Sequence, residues 1–345
     1  MLTQRYPQEK LAEILIPQEK WHPYPTIEDR EGWLSLPMPI QKAQVALAES
    51  NLGTTWPELQ ATRFLEYVRE GNRTRYQDPH FQRRDMLASF IVAECIEDKG
   101  RFIDDIINGV WAICEESYWG VPAHVGVQKA GHGLPDTAEP TVDLFAAETA
   151  SLLAWTSYLL GTKLDAVTPL VKARMQREIE HRFLRPTFER DDFFWMGFVD
   201  ARGGRRVNNW NPWINSNWLT AALLLIEDET HRVATVAKIL RSLDYFIDPY
   251  PKDGGCDEGP NYWGRAGASL FDCLELLYSA TDGALNVYED NAIQNIGKFI
   301  YRVHIAEDYF INFADAPARV QPSPAIVHNY GRRIDDDAMA SFGAW

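Results

Sequence analysis

Residues 207–218 read VNNWNPWINSNW and hold five asparagines and three tryptophans. Asparagine is unfavourable inside a helix because its amide competes for backbone hydrogen bonds, and tryptophan requires burial or a flat ligand. A second dense segment, residues 253–265, reads DGGCDEGPNYWGR. We expect the two segments to form two walls of one polar cleft lined by aromatic rings. Amides that bind hydroxyl and carboxylate groups, beside indoles that cover pyranose faces, suit a sugar polymer.

Helical patterns flank these two segments along the chain. Apolar residues recur at helical spacing over 63–70, 84–98, 102–116, 141–161 and 164–185, and again over 217–227, 231–246, 266–280 and 292–306. Pro186 should end the helix that begins at Leu164. Long loops rich in Gly, Pro, Trp and Asn separate the helices. We therefore predict an all-α fold, an incomplete α/α toroid of helical hairpins with long polar and aromatic loops, rather than a four-helix bundle or a solenoid.

The predicted toroid domain, of catalytic type, covers residues 41–308. Residues 1–40 are rich in proline and charge, so we expect an irregular lead-in with short helices. Residues 309–345 change character again: 309–316 could form a strand or a buried turn, and a polar tail follows. The chain thus consists of one helical domain between two less regular segments.

The composition favours a globular protein with an acidic surface. Apolar residues make up 46% of the 345 positions, there are 12 tryptophans, and the formal net charge is −15. This charge argues against binding to nucleic acid through bulk electrostatics. It allows an anionic substrate, because a local basic patch outweighs distant acidic residues. Arg202, Arg205 and Arg206, just ahead of the first segment, form such a patch.

The four cysteines are widely spaced and occur in no CxxC or Cys/His pattern, so we expect no metal site, no disulfide framework and no cofactor. The N-terminus lacks the apolar run of a secretory signal, and no segment approaches the roughly 18 apolar residues of a membrane helix. We therefore expect a cytoplasmic protein without a membrane partner. A secreted or periplasmic protein that has lost its signal is the alternative, and a homo-oligomer is compatible with the sequence.

Tyr262 is the first candidate for catalysis. It lies in the Gly/Pro-rich turn EGPNY at the expected start of a helix, and Arg265 follows about one turn later. The helix N-terminus and the arginine would both stabilise a phenolate, so that the tyrosine acts as general acid or base. Alternatively, Tyr262 packs the turn and its hydroxyl caps a backbone group.

Asn208 and Asn209 are the second candidates. Abstraction of the proton next to a carboxylate requires that the carboxylate be neutralised, and an amide donor can stabilise the charge that develops. Alternatively, both residues cap the helix expected to begin near Trp218. The three tryptophans of the segment weigh against that simpler interpretation.

Histidines and carboxylates elsewhere are further candidates. His124 lies in a long loop with aromatic residues, and the alternative for it is a hydrogen-bonded loop histidine. His328 could reach a site from the C-terminal segment, with a surface residue as the alternative. Asp143, Asp257 and Glu258 could serve hydrolysis, although their spacing is not specific. The residues expected to contact the substrate are Trp119, Trp210, Trp213, Arg206, Arg265, Glu258 and His328.

The chain resembles the heparinase II/III-like polysaccharide lyases in four segments: WAICEE at 111–116, WGVPAH at 119–124, NNWNPW at 208–213 and DEGPNY at 257–262. This family includes alginate and heparin lyases and related uronyl epimerases, and the resemblance covers roughly residues 60–335. It implies an α/α toroid and β-elimination at a uronic acid. By this resemblance Tyr262 is the catalytic acid, sometimes also the base, and Asn209 or Asn208 neutralises the substrate carboxylate.

Two departures from the family pattern bear on the mechanism. Many members have a histidine within or beside the asparagine motif, whereas Trp210 follows Asn209 here, which leaves His124 or His328 as the base. Many members also carry a C-terminal β-sandwich domain with a further catalytic histidine and sometimes a metal. Residues 309–345 lie where such a domain would begin, so they could be the start of a missing one.

We therefore expect a lyase that cleaves an anionic, uronic-acid-containing oligosaccharide or polysaccharide. The first alternative is a glycoside hydrolase on an α/α toroid that uses carboxylates such as Asp143, Asp257 or Glu258. The second alternative is a non-catalytic glycan-binding protein. The fold alone does not decide among them, because one architecture hosts several activities.

Overall fold

The computed structural model describes residues 1–199, 203 and 206–344. Helices hold most of these residues, and the only sheet among them is a two-stranded hairpin, so the predicted all-α class is confirmed. Arg202 and Arg205, two members of the expected basic patch, lie outside the described residues. Within the described part of the chain, no helix is both long enough and apolar enough to cross a membrane.

The helices vary widely in length. In chain order they are α1 (Leu2–Arg5), α2 (Gln8–Ile14), α3 (Arg30–Leu34), α4 (Met38–Glu49), α5 (Ala61–Glu70), α6 (Thr74–Glu97), α7 (Ile103–Cys114), α8 (Leu144–Val167), α9 (Leu170–Ile179), α10 (Arg185–Glu189), α11 (Trp210–Leu225), α12 (Glu229–Ile247), α13 (Pro260–Trp263), α14 (Gly267–Ala280), α15 (Asn291–Arg302), α16 (Pro324–Arg333) and α17 (Asp337–Ala344).

Shorter elements join these helices. A π-helical turn, Glu180–Leu184, connects α9 to α10, and 3₁₀ turns occur at Gln18–Lys20, Pro122–Val127 and Phe194–Met196. Strands β1 (His304–Ala306) and β2 (Tyr309–Phe310) pair antiparallel.

The chain forms two compact units. The first unit combines Met1–Trp21 with Asp191–Trp345, and the second unit is His22–Arg190. Short helices occur before residue 40, as the sequence indicates. The domain boundaries expected at residues 40 and 308 stay a prediction.

Helix α11 is central to the packing of the first unit. It packs against both α12 and α14, and its buried side chains include Trp213 and Trp218. The N-terminal helix α1 docks on α12 through Asp244, whose carboxylate accepts a hydrogen bond from the Leu2 amide at 2.5 Å. The first residues of the chain are thus part of this unit's core.

Two asparagines of α11 hold this core together. Asn211 is fully buried, and its amide donates to the carbonyl oxygens of Trp195 at 2.8 Å and Ser242 at 2.9 Å. Asn215, one turn later and also buried, donates to Asn211 Oδ1 at 3.2 Å and to the Ser242 hydroxyl at 3.0 Å. Trp218 is fully buried as well. This part of the segment is core, so the expectation that the whole segment forms a cleft wall is wrong.

The C-terminal tail, which the sequence indicates to be polar, is helical from Pro324 to Arg333 and from Asp337 to Ala344. Helices α16 and α17 pack against each other, and Nδ1 of His328 lies 2.9 Å from the carbonyl oxygen of Ala340. Gly343 allows this close packing, because a Cβ atom there would overlap the backbone nitrogen of His328. Pro324, in the first turn of α16, is the helix-start signal that the sequence contains.

The second unit is built on the long helices α6 and α8. They pack against each other, α7 packs on α6, and α9 packs on α8. Helix α8 begins after Asp143, whose carboxylate accepts hydrogen bonds from the amides of Phe145 at 3.1 Å and Ala146 at 2.8 Å. This side-chain cap satisfies amides that have no partner inside the helix, and it fixes where α8 starts.

Pro186 does not end the helical stretch that precedes it, so the expected stop there is wrong. Helix α9 continues through the π-helical turn into α10, which contains Pro186 in its first turn. The Arg185 amide donates to the carbonyl oxygen of Glu180, five residues back, as in a π-helix. Proline has no N–H, and the first turn of a helical segment is where that loss is tolerated.

Replacing Asn211 by alanine should lower the free energy of unfolding by about 1–3 kcal/mol, because the carbonyl oxygens of Trp195 and Ser242 lose a buried donor. Chemical denaturation followed by circular dichroism measures this loss. Asn217→Ala is the matched control: its half-buried amide bonds to the Trp213 carbonyl oxygen of the same helix, and we expect a loss below about 0.5 kcal/mol. Equal losses in the two variants would contradict the core role of Asn211.

Candidate functional site

The two segments that stand out in the sequence meet in the first unit. The side-chain amide of Asn208 donates to Glu258 Oε1 at 3.2 Å, and that of Asn209 donates to Glu258 Oε2 at 2.7 Å. Asn209 is buried, whereas Asn208 and Glu258 are half-buried. Two neighbouring amides of one segment therefore bind both oxygens of a carboxylate from the other.

Asn209 does not cap a helix through its side chain. Helix α11 begins at Trp210 rather than near Trp218, which places Asn209 directly before it, yet the Asn209 side chain makes no capping hydrogen bond. The helix-cap interpretation is therefore wrong for this residue. Asn208 Oδ1 is buried and has no hydrogen-bond partner among the described residues. Buried acceptors are rarely left unpaired in folded proteins, so this atom is a candidate ligand contact.

The turn that carries Tyr262 is fixed at both ends. Gly259 has a φ of +89°, and a Cβ atom there would lie 2.5 Å from the carbonyl oxygen of Phe313, so the position requires glycine. Trp263 is almost fully buried and donates its indole N–H to the carbonyl oxygen of Ile296 at 2.8 Å. Tyr262, between these two anchors, is half-buried. Its backbone is therefore held while part of its side chain remains accessible.

Two arginines bring positive charge to these segments. The Arg265 guanidinium lies 4.1 Å from the ring centroid of Trp213. Trp213 is buried, so the expectation of an open indole face for a sugar is wrong there. The Arg206 guanidinium lies 3.0 Å from the Asp257 carboxylate and 4.7 Å from the ring centroid of Tyr250. Arg265 is exposed, whereas Arg206 is half-buried and neutralised by Asp257 of the second segment.

Trp210 and His328 are the other predicted contacts in the first unit. Trp210 is half-buried at the start of α11, and its ring centroid lies 5.0 Å from that of Phe194. His328 is half-buried and bonded to the backbone of α17, so the surface interpretation is wrong and the bond has a structural role. A role of His328 as base stays a prediction.

His124 belongs to the second unit. Its Nδ1 lies 2.8 Å from Oδ2 of Asp143, and its ring is parallel to that of Phe145, with 5.5 Å between the centroids. Asp143 is fully buried and also accepts a hydrogen bond from the Val121 amide at 3.3 Å. A buried carboxylate on one ring nitrogen fixes the orientation of a histidine, as proton transfer requires. His124 is therefore a hydrogen-bonded loop histidine, as the alternative interpretation of the sequence predicts. The same arrangement also suits a general base.

Trp119 is a core residue of the second unit. Only 1% of it is exposed, and its indole N–H donates to the carbonyl oxygen of Ile113 at 2.9 Å. The Arg182 guanidinium lies 5.0 Å from its ring centroid. Because no face of the indole remains for a sugar, the expected substrate contact at Trp119 is wrong.

Asp272 on α14 is a titratable group that the sequence does not single out. Its side chain is exposed, yet the surrounding protein desolvates it and raises the pKa of its carboxyl to about 6. The positive charge of Arg265 opposes this rise, and the negative charge of Glu275 adds to it. Asp272 follows Arg265 by seven residues, and this closeness in sequence to a cation is the signal that could have found it.

Metal and thiol chemistry find little support in the described residues. Among them, no group of three or more His, Cys, Asp or Glu side chains is arranged to hold a metal ion. The four cysteines are buried and form no disulfide. Burial raises the pKa of Cys256 to about 11 and that of Cys95 to about 12, so both side chains are protonated thiols at neutral pH.

Gly259→Ala should lower the free energy of unfolding by about 2 kcal/mol or more, because alanine is strained at positive φ and its Cβ atom meets the backbone of Phe313. Gly264→Ala is the matched control. Gly264 has a φ of −58°, and a Cβ atom there would lie 3.6 Å from the carbonyl oxygen of Asn261, so we expect a change below about 1 kcal/mol. Urea denaturation compares the two, and similar values would show that Gly259 does not fix the turn.

The raised pKa of Asp272 predicts a pH-dependent loss of stability. The folded carboxyl titrates near pH 6 rather than at 3.8, so the folded protein binds this proton more tightly than the unfolded chain does. Stability contributed by this group is therefore lost as the pH rises from about 4 to 6, and none is lost at lower pH. Asp272→Asn should remove that loss.

At pH 7 we expect Asp272→Asn to be more stable than the unchanged protein by no more than about 1 kcal/mol, because solvent screens an exposed carboxylate. Urea denaturation over a pH series measures the difference. A variant that loses stability between about pH 4 and 6 as steeply as the unchanged protein would contradict the assignment.

The first unit brings four of the predicted site residues into one region, with Asn208 and Asn209 bonded to Glu258 and Tyr262 on the same turn as Glu258. Comparison of the chain with protein-family models and with curated proteins finds no match. The geometry of these side chains, together with the resemblance in sequence, is therefore what bears on function.

Proposed function

We propose that this protein is a polysaccharide lyase that cleaves an anionic, uronic-acid-containing glycan by β-elimination on an α/α toroid. One observation carries the proposal: the amides of Asn208 and Asn209 bind both oxygens of a carboxylate on the turn that holds Tyr262. Elimination next to a uronate requires donors for its carboxylate and a group that transfers protons. The resemblance to heparinase II/III-like lyases supports the same assignment.

The two asparagines act on the charge that the reaction creates. Elimination removes the proton at C5 of the uronic acid, and the electron pair of the C–H bond forms the C4–C5 double bond as the oxygen at C4 leaves. Negative charge builds on the substrate carboxylate while the proton departs, and amide donors lower the energy of that state. In the proposed complex, the substrate carboxylate replaces Glu258 as the partner of Asn208 and Asn209.

Tyr262 transfers the protons in this proposal. In the proposed step its phenolate takes the proton from C5, and the phenol that results gives that proton to the oxygen that leaves C4. Its position between the anchored residues Gly259 and Trp263 supports this role, because proton transfer requires a hydroxyl held at one place. The exposed guanidinium of Arg265 attracts an anionic substrate to this region. The role of His124 as base stays a prediction that rests on its bond to Asp143 within the second unit.

The carboxylate contacts weigh against the hydrolase alternative. Hydrolysis of a glycosidic bond requires an accessible carboxylic acid and a second carboxylate across the bond. Asp143 is fully buried and caps α8, and Asp257 forms an ion pair with Arg206 at 3.0 Å. Both therefore already have structural partners, which leaves Glu258 without the second carboxylate that hydrolysis requires.

Incubation with alginate, heparin, heparan, chondroitin and hyaluronan oligosaccharides tests the proposal, because the unsaturated uronate that elimination produces absorbs ultraviolet light. We expect the absorbance to rise with at least one of them. New reducing ends without that rise would indicate hydrolysis, and binding without any product would indicate a glycan-binding protein. Either result contradicts the proposal.

Tyr262→Phe should lower kcat by at least about 10²-fold and leave oligosaccharide binding in place, because it removes the proton-transfer group and keeps the ring. Absorbance kinetics on the substrate found above and a binding titration measure the two effects. Tyr245→Phe, at an exposed tyrosine of α12, is the matched control and should keep full activity. Unchanged turnover by Tyr262→Phe would exclude Tyr262 as the acid or base.

A further inference from the structure

The second unit contains a cleft that the proposed elimination does not use. Its volume is about 330 Å³, within the range of small-molecule sites. Three packed aromatic rings line it, with centroid distances of 4.8 Å for Phe64–Tyr76 and 6.4 Å for Phe64–Tyr118. A pocket of about 220 Å³ continues from it, since the two share Glu116, Ser117 and Tyr118. These rings are themselves buried, so they form part of the wall of a cleft whose volume suits a small, ring-sized ligand.

Glu116 is the centre of a buried charged cluster in this lining. Arg84 binds it through two hydrogen bonds, Nη1 to Oε1 at 3.0 Å and Nη2 to Oε2 at 2.7 Å. Arg83 Nη1 lies 3.2 Å from Oε1. His80 is fully buried beside them, and desolvation with the two arginine charges holds its pKa well below the ordinary range, so the imidazole is neutral. Two guanidinium groups thus face the carboxylate of Glu116, while the exposed carboxylate of Glu115 lines the cleft as well.

Arg83 keeps a donor for a ligand. Its Nε donates to the carbonyl oxygen of Pro57 at 2.7 Å and its Nη1 to that of Ala112 at 3.0 Å, so the guanidinium is fixed in place. Its Nη2 has no hydrogen-bond partner within the described part of the chain, and Arg83 lines the cleft. A fixed guanidinium with a remaining N–H is a preorganised site for an anion.

Tyr76 supplies a second donor. Only 6% of the residue is exposed, it lines the cleft, and its hydroxyl has no hydrogen-bond partner among the residues that the structure describes. Burial, with a contribution from the charge of Glu116, raises its pKa above the ordinary value, so the hydroxyl keeps its proton. Unlike the hydroxyl of Tyr118, which is shielded from solvent, the Tyr76 hydroxyl is not among the fully buried unpaired atoms, so it can donate into the cleft. An acceptor brought by a ligand would satisfy both Tyr76 and Arg83.

We propose that this cleft binds a small acid built on a sugar-like ring, namely a uronic acid. The ligand carboxylate accepts hydrogen bonds from Arg83 Nη2 and the Tyr76 hydroxyl, and its ring lies against the aromatic side chains that line the cleft. Glu116 does not repel the ligand, because both of its oxygens are neutralised by arginines. The choice of a uronic acid rests on the proposed function, whereas the assignment of Arg83 Nη2 and the Tyr76 hydroxyl as donors does not.

Titration calorimetry with D-glucuronate, and with D-glucose as the neutral control, tests the proposal on the full chain. We expect glucuronate to bind at least about 10-fold more tightly than glucose, because only glucuronate supplies a carboxylate. Tyr76→Phe should weaken glucuronate binding about 5-fold to 10-fold through the loss of one hydrogen bond. Ser117→Phe should abolish it, because Ser117 is exposed and borders both pockets.

A control variant locates the binding. Ser50→Phe, at another exposed serine of the second unit, should bind glucuronate normally. Circular dichroism confirms that each variant is folded. Absence of glucuronate binding, or binding that Tyr76→Phe and Ser117→Phe leave unchanged, would overturn the proposal. Glucuronate binding in this cleft without any elimination in the absorbance assay would support the proposed binding site and contradict the lyase function. Failure of the binding proposal and failure of the lyase proposal are therefore distinguishable.

Discussion

The buried amide of Asn211 is the interaction on which the first unit depends. It joins α11 to α12 through the backbone of Ser242, at the centre of the unit's core. Because α11 is fixed in this way, the residues immediately before it are fixed too, and Asn208 and Asn209 reach the Glu258 carboxylate from there. Asparagines within one short segment therefore divide between two purposes: those inside the helix hold the core, and those ahead of it form the candidate site.

The second unit is organised around charge rather than around amides. Glu116 is the shared partner of two guanidinium groups in its interior, and its loss would leave Arg84 buried without a counter-charge, which is strongly destabilising in folded proteins. Arg83 binds through Nε and Nη1 and keeps Nη2 as a donor. A protein with a net charge of −15 thus keeps fixed guanidinium donors inside one unit. Both units place donors suited to a carboxylate, the first through amides and the second through arginine and tyrosine.

The helical class and the meeting of the two polar segments were predictable, because helical periodicity and clusters of Asn, Trp and Gly are local properties of a sequence. Burial is not local, and the errors lie there. Asn209 and Asn211 have the same side chain, but contacts with distant residues place one at the candidate site and the other in the core. Trp119 and Trp213 carry indole rings of the kind that stack on sugars, yet both side chains are buried by the rest of the chain. The continuation of the helix through Pro186 depends on a π-helical turn, which no local rule indicates.

Gly259 packs directly against the backbone of Phe313, with the Ala316 side chain close by. The turn that presents Tyr262 is therefore built against a stretch of chain far beyond it in sequence. A shortened form that stops before residue 313 would contain every residue of the two polar segments and still lack the surface on which the turn forms. Truncation experiments that retain the motifs alone would consequently yield pieces that lack the turn, and the smallest form of the first unit that keeps it must extend past Ala316.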